Sequence, residues 1–108
     1  MKLLKFLFVT ASLALAGGAF AAIHTWTAGS DYEGEVNVAI GGGVPVVWYC
    51  SGGKCVLNGP WGGGLNMQAC QNLARRVGTL SYYRNDTGKE WSAKKQPNKL
   101  AQCNQAAK

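Results

Sequence analysis

Four cysteines constrain this chain more than any other feature: they stand at positions 50, 55, 70 and 103 of 108 residues, behind a stretch built like an export signal. In that stretch Lys2 and Lys5 precede an apolar run over 6–15, and Ala19-Phe20-Ala21 has the small-x-small form that a signal peptidase accepts. The expected mature chain begins at Ala22, leaving 87 of the 108 residues once the first 21 are removed. The apolar run is too short to cross a hydrocarbon core of ~30 Å as a stop-transfer helix, and no later run exceeds it. No cysteine follows the small residues to accept a lipid, and there is no twin-arginine signal. The expected location is periplasmic or secreted, with no transmembrane segment in the mature chain.

An even number of cysteines in a short exported chain reads as two disulfides, here with three possible connectivities. A zinc ribbon would require two close C-x2-C knuckles, whereas these cysteines are separated by four, fourteen and thirty-two residues. No metal and no cofactor are therefore expected. A chain this small lies near the size at which covalent staples begin to matter for stability.

Hydrophobic periodicity outlines an α+β protein: a small antiparallel sheet of hairpins packed on one amphipathic helix. Residues 35–40 alternate with the two-residue period of a half-buried strand, and Gly41-Gly42-Gly43 ends it in a turn. The β-prone runs 46–50 and 55–57 flank Ser51-Gly52-Gly53-Lys54, which reads as a hairpin closed by a two-residue primed turn. Such a turn sets Cys50 opposite Cys55 on a non-hydrogen-bonded rung, close enough for a disulfide. Asn58-Gly59-Pro60 then stops the strand. From Asn66 the period becomes helical, with Met67, Cys70, Leu73, Ala74 and Val77 on one stripe, Asn66 as N-cap, Arg75 and Arg76 in the last turn and Gly78 just beyond. The runs 80–84 and 89–91 bracket Asn85-Asp86-Thr87-Gly88 as a second hairpin. Pro97 opens a short C-terminal helix over 98–106 that carries Cys103, and pairing Cys70 with Cys103 would pin it to the main helix. That bridge closes a long loop, for about 3–4 kcal/mol in the chain-entropy model.

Charge is uneven along the mature chain. Residues 22–47 hold Asp31, Glu33 and Glu35 and no base, for −3, whereas 48–108 hold nine bases against Asp86 and Glu90, for +7. Residues 22–43 thus form an acidic N-terminal segment with one expected strand, ahead of a disulfide-stapled basic domain at 44–108.

Little in the sequence suits catalysis. His24, the one histidine, stands three residues into the mature chain and is expected to fray, and the carboxylates are expected on turns or in the acidic segment. The glycine loop 59–64 lacks the Lys-Ser/Thr pair of a phosphate-binding loop, so no nucleotide is expected. Asn85-Asp86-Thr87 matches the N-glycosylation pattern only by coincidence, given its tight turn and a leader of bacterial style. A net charge of +4 on an exported chain argues against nucleic acid as partner. Four Trp and four Tyr are more aromatic side chains than a small sheet can bury on one face, so some aromatic surface is expected to show.

These features predict a non-enzymatic binding or accessory protein of the bacterial periplasm or exterior. It would recognise a protein or an envelope glycan through Trp61, Tyr82, Tyr83, Arg84, Lys89 and Trp91. The alternative from another class is a secreted effector, either an inhibitor inserting the 59–64 loop into an enzyme cleft or a cationic antibacterial toxin.

Overall fold

The computed structural model describes residues 22–107; the expected leader and its cleavage lie outside the described residues. Alternating apolar and polar residues build six strands: β1 (His24–Gly29), β2 (Gly34–Ile40), β3 (Val44–Ser51), β4 (Lys54–Gly59), β5 (Tyr82–Asn85) and β6 (Glu90–Ser92). Among the described residues two α-helices complete the fold, α1 (Met67–Val77) between β4 and β5, and α2 (Pro97–Asn104) after β6. All neighbouring strands are antiparallel, in the order β2-β3-β4-β1-β5-β6. The small α+β architecture and both expected disulfides, Cys50 with Cys55 and Cys70 with Cys103, are present.

Inward residues of the sheet (Trp26, Ala28, Val36, Val46, Trp48, Leu57, Tyr83 and Trp91) join Cys70, Leu73 and Ala74 of α1 in one core. Trp48 lies at its centre, 6.1 Å from Tyr83, and its indole N–H has no partner among the described residues. Both helices lie on this side, so the opposite sheet face is bare. One rung crosses all six strands there: Glu35, Tyr49, Val56, Thr27, Arg84 and Glu90.

Local chemistry explains the boundaries. Gly52 and Gly53 take φ of 65° and 90°, the positive values a primed turn needs, and Cys50 faces Cys55 one rung back. The Asn66 side chain accepts the Ala69 N–H at 2.8 Å and starts α1; the Gly78 N–H donates to the Ala74 carbonyl and closes it. Pro97 supplies the first residue of α2, which ends at Asn104, two residues before the expected limit.

Edge strand β2 is covered by side chains from α1. The hairpin register makes Gly34 with Cys50 and Val36 with Trp48 the hydrogen-bonded pairs, so the Asn37 and Ala39 carbonyls point off the sheet. Arg76 donates to the Asn37 carbonyl at 2.6 Å and Asn72, one turn earlier, to that of Ala39 at 2.8 Å.

The N-terminal segment departs from expectation. One strand was expected in 22–43, and there are two. β1 is interior to the sheet, paired with β4 on one side and β5 on the other, so His24 is held in a strand rather than frayed. His-Thr-Trp-Thr-Ala alternates inward His24, Trp26 and Ala28 with outward Thr25 and Thr27, a weak pattern made decisive by two partner strands far away in sequence.

Candidate functional site

Because β1 enters the sheet beside β4, Trp26 comes under the glycine loop that leaves β4. Gly59 faces inward, and the Trp61 ring folds back over it: a Cβ on Gly59 would stand 1.8 Å from a ring carbon. Only glycine leaves that space, and Trp61 thereby comes within 6.0 Å of Trp26, ring centre to ring centre, with the planes inclined by 43°.

Between these rings and the β2–β3 turn lies a cleft of about 330 Å³, at the small end of ligand-pocket sizes. Trp26, Leu57, Tyr83 and Ala69, all buried, form its floor. Ile40, Gly41 and Val44 form one rim, and Trp61, Gly64 and Asn66 the other. No lining residue is charged. Among its polar groups, the Trp26 indole N–H donates to the Gly64 carbonyl at 3.1 Å, and the Asn66 carbonyl oxygen caps α1.

The loop rim is anchored from below. Asn85 donates its amide to the Gly63 carbonyl at 2.7 Å, and Thr87 Oγ1 lies 3.1 Å from the same oxygen. Asn85 also accepts from the Thr87 backbone N–H at 3.0 Å, which fixes the β5–β6 turn. With its side chain buried and its amide nitrogen engaged, Asn85 does not present a glycosylation site in the folded protein. One residue on, Asp86 takes the His24 Nδ1–H at 2.9 Å and the Thr25 N–H at 3.0 Å. The hydrogen bond from His24 holds the Asp86 carboxyl below the ordinary carboxylate range, with help from Thr25.

A second groove, of about 400 Å³, adjoins the cleft across Gly64 and Leu65. It is bordered by Lys89, Glu90, Trp91, Lys95 and Gln96. Lys95 reaches the Gly88 carbonyl at 3.4 Å, and Glu90 accepts the Ser92 hydroxyl at 2.7 Å.

The six residues expected to form one contact surface are divided. Trp61, 38% exposed, and Tyr83, 2% exposed, belong to the aromatic cleft; burial raises the phenol pKa of Tyr83. Tyr83 is thus a floor residue rather than a surface anchor. Lys89 and Trp91 border the second groove, Trp91 with only 8% of its surface exposed. Tyr82 and Arg84 lie on the bare face, the guanidinium 4.5 Å above the Tyr82 ring centre, and that ring covers Gly29. The division follows from strand geometry: successive residues of β5 point to opposite faces, so Tyr82-Tyr83-Arg84 cannot act side by side. Trp26, Asn85 and Thr87 were not foreseen as site residues. Two of them stand in the Asn85-Asp86-Thr87 turn, whose side chains had an evident local use but no evident distant one.

Fold and cleft together define a small disulfide-crosslinked α+β protein with a tryptophan-walled apolar pocket. The chain belongs to a family of unknown function, DUF8200, whose pattern matches residues 7–105. No curated protein and no solved structure shows a significant match to it.

Proposed function

We propose that this is an exported, non-enzymatic binding protein of the bacterial periplasm or exterior, which captures an apolar side chain of a partner protein in the cleft between Trp26 and Trp61. The observation that carries this reading is the cleft's composition: tryptophan and aliphatic walls with no charged lining residue. A sugar ring needs several directed hydrogen bonds in addition to a stacking face, whereas a leucine, phenylalanine or tryptophan side chain needs only apolar enclosure. The apolar walls and the lack of a charged lining residue favour a protein anchor over an envelope glycan. The two disulfides support export, because they persist in an oxidising compartment and are rare in a reducing one.

The test is capture from envelope extract on immobilised oxidised protein, comparing Trp61→Ala with Tyr49→Ala. Tyr49 is 60% exposed but lies on the opposite face. Capture should be lost with Trp61→Ala, kept with Tyr49→Ala, and abolished when the extract is first treated with protease. Capture that survives protease but not glycan-degrading enzymes would transfer the cleft to carbohydrate, and recovery unaffected by Trp61→Ala would remove the cleft from consideration.

A further inference from the structure

The cleft and the second groove are neighbours of opposite character. The cleft has no charged lining residue, whereas the groove carries Lys89 and Lys95, with Lys94 beside them in sequence and Lys99 in the first turn of α2. Glu90 borders the groove but stands on the bare-face rung with Arg84, 4.0 Å from its guanidinium, and accepts the Ser92 hydroxyl. The groove therefore carries two lysines against one carboxylate, an excess of positive charge beside the cleft.

The ridge between them is bare backbone at Gly64, beside the partly buried Leu65. Gly62, Gly63 and Gly64 form its approach and crest, and no heavy atom lies within 4 Å of a Cβ built on Gly64. It is also fixed in place, through Trp26 to the Gly64 carbonyl and through Asn85 and Thr87 to the Gly63 carbonyl. An extended chain could cross such a crest at close range, covering it with roughly two or three residues at ~3.3 Å each. A rigid ridge between an apolar socket and a basic one limits the entropy lost on binding.

We propose that the partner is recognised through a linear peptide segment in which a large apolar side chain is followed, two to four residues on, by one or more carboxylates: the apolar group fills the Trp26–Trp61 cleft and the carboxylates meet Lys89 and Lys95. This rests on the reading of the cleft as a protein-binding site and adds the chemistry of the partner. Charge complementarity selects it, because Lys89 and Lys95 both line the groove against the single carboxylate of Glu90, which pairs with Arg84. A neutral or basic segment would fill the cleft but leave the lysines unpaired, which makes acidity the specificity element.

A phage-displayed library of linear twelve-residue peptides, panned against the oxidised mature protein, tests this directly. The expected enriched pattern is Trp, Phe, Leu or Met with Asp or Glu at the second to fourth following position. Synthetic peptides from the selection should bind wild-type protein, and the doubly reversed variant Lys89→Glu/Lys95→Glu should bind them roughly tenfold or more weakly. Binding should also weaken between 0.05 and 0.5 M salt. Lys54→Glu, at the first residue of β4 beside the hairpin turn, serves as a charge control that should leave binding nearly unchanged. Peptides lost on Trp61→Ala but indifferent to the lysine reversal overturn the acidic-segment proposal and leave the cleft reading standing. Peptides indifferent to Trp61→Ala, or no enrichment at all, overturn both.

Discussion

At the scale of single residues, the cleft depends on one absent side chain. The Trp61 ring occupies the position where any other residue at 59 would carry a Cβ, and the clash distance of 1.8 Å is too short for the ring to tolerate without leaving. Gly59→Ala should therefore displace Trp61 from Trp26 and cost about 1–3 kcal/mol, in the range of overpacked sites. The urea midpoint measures the cost, and a red-shifted tryptophan emission reports the displaced ring; an unchanged spectrum with an unchanged midpoint would mean that the ring does not cover Gly59. A second residue-scale effect is set by pH. Asp86 has a carboxyl pKa depressed in the folded state by the His24 hydrogen bond. A depressed folded pKa means that the contribution is fully present above the unfolded value and is lost as pH falls through the folded one. The melting temperature of wild type should thus exceed that of Asp86→Asn at pH 5, and the gap should close as pH drops below 3.8, the ordinary value for this group. A gap independent of pH would show that the carboxylate charge is not what His24 recognises.

At the scale of elements, the parts that were legible in the sequence are those with local signals at both ends. The helix α1 was readable because Asn66 and Gly78 punctuate a 3.6-residue stripe, and the β3–β4 hairpin because Gly52-Gly53 admits few other turns. The Cys50–Cys55 pairing followed from that turn, and the Cys70–Cys103 pairing followed once two helices each carried one cysteine. The two bridges should differ in thermodynamic weight, since one spans a sequence separation of 5 and the other of 33. In the chain-entropy model the longer loop is worth about 1.5 kcal/mol more. Denaturant unfolding of Cys70→Ala/Cys103→Ala against Cys50→Ala/Cys55→Ala measures this, and a larger loss from the short bridge would contradict it. The α1 side chains that meet β2 were not legible, because the i, i+4 spacing of Asn72 and Arg76 says nothing about what they face. Covering the carbonyls of an edge strand also blocks its use as a template for a second chain. Asn72→Ala/Arg76→Ala should accordingly raise the tendency to self-associate, seen as concentration-dependent sedimentation absent from wild type.

At the scale of the whole molecule, what the sequence withheld was strand order. Residues 24–29 offer a weak alternation without a strong turn on either side, and no local feature reveals that their partners are 54–59 and 82–85. That missing link also hid the cleft, because its floor includes Trp26, and it made one contact surface out of Tyr82, Tyr83 and Arg84, which the sheet separates. Loop residue Trp61 was legible as a candidate anchor because an aromatic side chain among glycines has few local neighbours to bury it.

The central position of β1 has a consequence for how the molecule holds together. It joins two pieces that otherwise share no strand pairing: β2-β3-β4 on one side and β5-β6 on the other. It also inserts Trp26 and Ala28 into the common core. Removing it would leave the facing edges of β4 and β5 without ladder partners and open a void of tryptophan size beneath the loop, a combination well beyond the stability of a typical domain of this length. A variant lacking residues 22–29 should therefore show no cooperative urea transition and little near-ultraviolet circular dichroism, although both disulfides can still form. Adding a synthetic peptide of residues 22–31 in trans should restore the aromatic dichroism, because the groove between β4 and β5 supplies backbone donors and acceptors on both sides and a socket for Trp26. The same peptide with Trp26→Ala should restore much less. A truncated chain that unfolds cooperatively with a wild-type denaturant slope would refute the central placement of β1, and with it the position of Trp26 beneath Trp61 on which the cleft depends.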